Sequence, residues 1–387
     1  MIAFREIGYT LLLFILITNI SCSFNNQKLL IDSHKPFFII HPLLFKGERF
    51  PNVVVSKKGT VIATIGRENF VVKRSENGGI TWSDNILVHQ PGFHGGGVIS
   101  DEVSGDILVF MDDKHPPTPG KMFRSKDDGK TWKEEPLSIT PDSKGNMPSL
   151  HMNEHGIILK FGKHKGRLIR PTRYYGQGND VNYLDQHYTN AIYSDDRGKS
   201  WKTSEPFPVM GTGEACIEQL SDGRLYYNSR RHKSTDGLDP RWRYEAWSED
   251  GGHTWQNMNV SKVLPDGNQY SDYGLMGGLT RISTVDGDVL VFSNIDIPKT
   301  ADQKDLAFEN RWGDRRNGAV WLSRDGAKSW PVKKVIDSGG FAYSSLYAGR
   351  PGTPTEGLIY LLYEKIENGQ YVGANMAIFN LPWLESK

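Results

Sequence analysis

Ser194-Asp-Asp-Arg-Gly-Lys-Ser-Trp201 decides the fold, because its pattern returns four more times along the 387 residues. The other copies are Ser75-Glu-Asn-Gly-Gly-Ile-Thr-Trp82, Ser125-Lys-Asp-Asp-Gly-Lys-Thr-Trp132, Ser248-Glu-Asp-Gly-Gly-His-Thr-Trp255 and Ser323-Arg-Asp-Gly-Ala-Lys-Ser-Trp330. Each follows a β-type run and has the chemistry of a hairpin turn. The aspartate accepts from nearby backbone N–H groups, the glycine takes a positive φ, and the serine or threonine ties the two strands together. Trp then packs beneath the turn into the core. Asn77 stands for the aspartate in the first copy and Ala327 for the glycine in the last, so those two turns are expected to be less regular.

Working outward, the copies begin 50 to 75 residues apart. That interval suits one four-stranded blade with its loops and predicts an all-β, six-bladed β-propeller. Strands near Phe37 to Ile40 and Ala377 to Leu381 are expected to share the blade that closes the ring. No Pro/Gly/Ser-rich linker interrupts the chain, so residues 28–387 read as one domain.

Basic and acidic side chains number 46 and 45, with no long basic run. This excludes a nucleic-acid groove and a polybasic membrane patch. An acidic ligand must therefore be met by locally gathered arginines. Residues 1–22 read as an export signal, with Arg5 ahead of an apolar run from Ile7 to Ile20 that is short for a membrane span. Cys22 follows a small residue as in lipoprotein processing, but Asn19 sits where Leu is usual, so lipidation and ordinary cleavage both stay open. The mature protein is expected outside the cytoplasm, periplasmic, attached to the outer membrane or secreted, and monomeric. Cys216 is the other cysteine, so no disulfide framework is available, and it reads as a small buried hydrophobe. No metal-ligand spacing appears and no cofactor is expected.

The repeats are Asp boxes, and with them in place several segments resemble those of bacterial exo-sialidases over nearly the whole mature chain. Arg49-Phe50-Pro51 resembles the segment that opens that family. Glu214-Ala215, Glu218 to Leu225 and Asn228-Ser229-Arg230 resemble the stretch bearing a glutamate and an arginine. Arg315-Arg316-Asn317 precedes the fifth box, and Phe341-Ala342-Tyr343-Ser344 is followed by Gly357 to Glu364. The resemblance implies a retaining glycosidase acting on a terminal acidic sugar: Tyr343 attacks, Glu214 is its base, and Arg49, Arg230 and Arg315 hold the substrate carboxylate. Three guanidiniums fix a carboxylate by charge-assisted bonds. A phenol, neutral until it loses its proton, is not repelled by that carboxylate. Taken singly, each arginine reads as a solvated charge and Tyr343 as a strand aromatic. Glu218, four residues along the same strand face, competes with Glu214, and Arg316 with Arg315.

The pattern breaks in one place. Sialidases carry an acid/base aspartate between the first arginine segment and the first Asp box, and here no aspartate lies between Arg49 and Ser75. Glu68, another part of the chain, or a different reaction must account for this. Phe93-His94-Gly95-Gly96-Gly97 and His115-Pro116-Pro117 resemble the paired histidines of propeller-fold ulvan lyases, which cleave uronic-acid chains by β-elimination. That resemblance implies His94 and His115 in proton transfer, with Arg170 or Arg173 neutralising a uronate. The plain alternative for His94 is a loop histidine bonded to backbone. A third possibility is a carbohydrate-binding propeller without catalysis.

Overall fold

The computed structural model describes residues 34–233, 241–270, 274–284, 287–299 and 314–387. The export signal and Cys22 lie outside them. The architecture is all-β and propeller-like, with one short terminal helix at Leu381–Glu385.

Among the described residues the strands form five sheets, in chain order around a ring. The first holds Asn52–Val55, Val61–Ile65, Phe70–Ser75 and Ile86–His89. The second centres on Ile107–Asp112, the third on Leu168–Tyr174 and Tyr188–Ser194, and the fourth runs Thr212–Gln219, Leu225–Arg231, Trp242–Ser248, Gln256–Pro265. The last sheet has seven strands, not four. Within it, Val332–Ala348 pairs with Arg316–Ser323 through its first half and with Leu358–Glu367 through its second. The N-terminal strand Phe38–Lys46 closes this sheet against the C-terminal strand Gln370–Asn380, with Phe38 opposite Phe379 and Ile40 opposite Ala377, as the sequence led us to expect.

Apolar clusters lie between consecutive sheets, which is what makes a ring of them. Val54, Ile62 and Val72 of the first sheet meet Val98, Ile107 and Val109 of the second. Leu108 and Phe110 meet Leu168, Ile192 and Trp201. Ile169 and Ala191 meet Ile217 and Tyr227, and Tyr226 meets Leu290 and Phe292. Val53 and Val61 return to Leu358, Tyr360 and Met376, so the last sheet packs on the first. Strands buried on both faces explain the near-continuous apolar runs such as Ile107-Leu108-Val109-Phe110.

The Asp boxes sit in the turns that the pattern predicts. In the third, Ser194 Oγ donates to Asp196 Oδ1 at 2.7 Å and accepts from Gly198 N at 2.8 Å, while Ser200 Oγ donates to Asp196 Oδ2 at 2.6 Å. The two variant boxes are as regular as the rest. Ala327 takes φ 70° and its N–H donates to Ser323 Oγ at 3.1 Å. Asn77 lacks a second carboxylate oxygen, and its Nδ2 donates to Thr81 Oγ1 instead. Cys216 is fully buried, and burial pushes its thiol up to about 12.

Trp201 is 1% exposed and packs edge-on against Phe110 at 5.5 Å. Trp201→Ala is expected to cost about 3–5 kcal/mol of unfolding free energy in denaturant titrations, and the half-buried Trp82→Ala clearly less.

Candidate functional site

Side chains from distant strands converge on Tyr343, which is carried by the second half of Val332–Ala348 and is 3% exposed. Its hydroxyl donates to Glu214 Oε1 at 2.8 Å and accepts from Arg230 Nη1 at 3.0 Å. Arg230 Nη1 also donates to Glu214 Oε2, and Arg173 Nη1 stands 3.6 Å from Glu214 Oε1. Burial alone pushes the Glu214 carboxyl up. Arg230, Arg173 and the hydrogen bonds from Arg230 and Tyr343 more than offset this and hold it below the usual carboxylate range. Glu214 is therefore an ionised carboxylate touching a phenol.

Two further arginines flank the tyrosine ring. Arg315 Cζ lies 5.3 Å from its centroid and Arg49 Cζ 5.7 Å. Arg49 forms a two-pronged pair with Glu364, Nε to Oε1 and Nη2 to Oε2, both at 3.0 Å. Glu364 Oε1 accepts from Phe50 N at 3.1 Å as well, which supports Phe50 at φ 66°. Tyr371 holds both cations: its ring lies 3.6 Å from Arg49 Cζ and its hydroxyl accepts from Arg315 Nη1 at 2.9 Å.

The competitors sort themselves by geometry. Arg316 is exposed and pairs with Asp314 at 2.6 Å, leaving the buried Arg315 at the tyrosine. Glu218 lies about 13 Å along the strand from Glu214 and borders a separate cavity of about 670 Å³ with Glu102, Lys160, Arg281 and Arg350. Arg170 donates to the carbonyls of Gly95, Leu150 and Pro171 and is a framework residue. Arg173, three residues on, faces Tyr175 at 4.2 Å and Glu214.

His94 does not join this group. It is fully buried, its Nε2 lies 3.1 Å from Thr64 Oγ1, and its Nδ1 accepts from Gly96 N at 2.8 Å. Burial pulls it down to about 3, so it is a neutral framework histidine. The glycines after it serve the protein's own chain: a Cβ on Gly96 would meet Asn153 O at 2.0 Å and one on Gly97 the Arg170 side chain at 2.1 Å. His115 lies instead on the rim, its ring 4.3 Å from His151 and 6.1 Å from Tyr175.

Sequence reasoning missed Glu364 as a partner of Arg49, along with Tyr371, His151 and Tyr175. For Glu364 a signal existed, since it is the one acid in the apolar run Ile359-Tyr360-Leu361-Leu362-Tyr363-Glu364. Among the described residues, no group of three or more His, Cys, Asp or Glu is placed to hold a metal, and no helix is long and apolar enough to cross a membrane.

A family model described as "BNR repeat-like domain" matches residues 66–354. A sialidase of Micromonospora viridifaciens is 28% identical over 375 residues, covering 88% of this chain and 52% of the relative. A sialidase of Bacteroides fragilis is 25% identical over 342 residues, covering 77% and 57%. The chain thus spans little more than half the length of these relatives. The structure of the Hadza microbial sialidase Hz136 superposes with a TM-score of 0.64 at 21% identity, covering 87% of this chain and 66% of that one. The intramolecular trans-sialidase of Ruminococcus gnavus gives 0.63 at 16%, covering 89% and 98%.

Glu364→Ala strips a buried partner from Arg49 and is expected to cost about 3–5 kcal/mol in equilibrium unfolding. Glu364→Gln, which keeps an acceptor for Phe50 N, should cost less.

Proposed function

The chain belongs to the BNR repeat-like domain family, and from that premise we propose that it is an exo-acting, retaining glycosidase of the sialidase type that removes a terminal acidic sugar. The observation that carries this is the 2.8 Å bond from Tyr343 to an ionised Glu214 with Arg230, Arg315 and Arg49 around the same phenol. The sialidases among its relatives support the same activity class.

The three arginines take the sugar carboxylate, which places the anomeric carbon over Tyr343. Glu214 accepts the phenol proton as the oxygen attacks, and Arg230, bonded to that oxygen, steadies the charge that develops on it. The Tyr343 oxygen bonds to the anomeric carbon as the glycosidic C–O bond breaks and the aglycone departs, giving an aryl glycoside of the tyrosine that water then resolves with retention. Tyr371 keeps Arg49 and Arg315 together and Glu364 fixes the direction of Arg49, so the clamp is set before substrate arrives.

The elimination reading finds no support, because both ring nitrogens of His94 are engaged in the framework. For the ring itself we propose six blades. The seven-stranded sheet counts as two, joined through Val332–Ala348, and an apolar cluster with Val289 and Val320 from one half and Leu361 and Phe379 from the other supports the division. Export remains part of the reading, on the strength of the apolar run from Ile7 to Ile20.

The mature protein is expected to release fluorophore from a fluorogenic sialoside. Tyr343→Phe should abolish turnover, and Glu214→Gln should lower kcat about 10²–10⁴-fold. Wild-type protein that binds sialosides and releases nothing would instead be a binding module.

A further inference from the structure

Cleavage with Tyr343 as nucleophile leaves one task without a residue. The sugar oxygen that departs is a poor leaving group unless a proton reaches it, and Glu214 has by then taken the tyrosine's proton. The side chains around the site narrow the choice. Glu364 is committed to Arg49, Phe50 N and Tyr343 N. His151 and His187 are fully buried, and burial together with Arg173 keeps them neutral. Asp112 is buried, which pushes its carboxyl up to about 8, and the largest charge facing it is that of the framework Arg170. Glu68 is 76% exposed and its carboxylate faces Arg67 at 3.7 Å.

His115 differs from all of these. It is exposed at the rim, and its Nδ1 faces Pro116 O at 3.3 Å, so an Nδ1–H donates to that carbonyl and Nε2 is the nitrogen left to carry a transferable proton. Phe93, His151 and Tyr175 seat the ring at 5.7, 4.3 and 6.1 Å. Phe93 in turn packs on Phe50, next to Arg49, at 5.1 Å, while Tyr175 carries Arg173, which faces Glu214. His115 therefore stands at the rim between the two sides of the site. We infer that His115 is the catalytic acid/base, giving its Nε2 proton to the departing oxygen and later taking one from water; this rests on the glycosidase reading above.

The protons balance. In the first half, the Tyr343 oxygen bonds to the anomeric carbon, the glycosidic C–O bond breaks, Glu214 holds the phenol proton and the aglycone leaves as an alcohol with the proton from His115. In the second, neutral His115 takes a proton from water, the water oxygen bonds to the anomeric carbon, and Tyr343 departs and recovers its proton from Glu214. Burial and Arg173 lower the His115 pKa below 6.5 against the Pro116 carbonyl and Glu214, which raise it, and the neutral His151 ring faces it at 4.3 Å. The acid is thus increasingly protonated as pH falls, and turnover that depends on it should decline as pH rises through the His115 value, on the acid side of neutrality.

The test compares two substrates that share one sialic acid, an aryl sialoside with an acidic phenol and sialyllactose with an alkyl oxygen. In His115→Gln, kcat/KM should fall about 10²–10⁴-fold on sialyllactose and less than about tenfold on the aryl sialoside, with loss of the alkaline limb of the pH profile. Melting should shift only slightly, because the residue is exposed and Gln keeps a polar side chain there. Equal losses on both substrates, or a selective loss in Glu68→Gln or Asp112→Asn instead, overturn the assignment. Wild-type protein that cleaves neither substrate overturns the glycosidase reading, and the assignment with it.

Discussion

A carboxylate with no access to water keeps its charge at Glu214 because two guanidiniums face it, and the site is organised around that fact. Removing either cation would leave a buried charge that burial alone drives toward protonation. Arg230 is therefore needed twice, once against Glu214 and once against the Tyr343 oxygen. The same logic recurs a few ångströms away, where Glu364 is satisfied by Arg49 and by two backbone N–H groups. Both acids beside the phenol thus find their counter-charge inside the protein.

Glu218 shows how far partners, and not residue type, decide ionisation. It shares a strand and a face with Glu214, yet it accepts from the backbone N–H groups of Gln219 and Arg281, with no guanidinium in bonding contact, and burial pushes it up to about 7. One strand thus carries a carboxylate held below the usual range by guanidiniums and, four residues on, one that burial pushes up.

Much of this was legible in the sequence because it is local. An Asp box is satisfied within eight residues, so five copies announced the hairpins and the β architecture. Arginines in a fixed order between boxes could be followed to one place. What could not be read depends on contacts across the ring. His94 looked like a reactive loop residue because its partner Thr64 is thirty positions away on a neighbouring sheet. Gly95 to Gly97 looked made for a ligand, and what they admit is the backbone of Leu150 and Asn153 and the side chain of Arg170. Arg170 and Arg173 were interchangeable on paper, but an odd spacing on a strand puts them on opposite faces, one into the framework and one toward Glu214. Ala327 shows that a turn held by serine and aspartate bonds tolerates a side chain at a left-handed position.

The pairing of Phe38–Lys46 with Gln370–Asn380 binds the two termini of the domain in one sheet, and Arg49 and Glu364 sit just inside that seam. Synthesis proceeds from one end, so the nascent polypeptide holds an open arc whose first arginine has no counter-ion until the final strands emerge from the ribosome. The Arg49–Glu364 pair and the closure of the sheet therefore arrive together, and a molecule without either of these two strands would lose the seam.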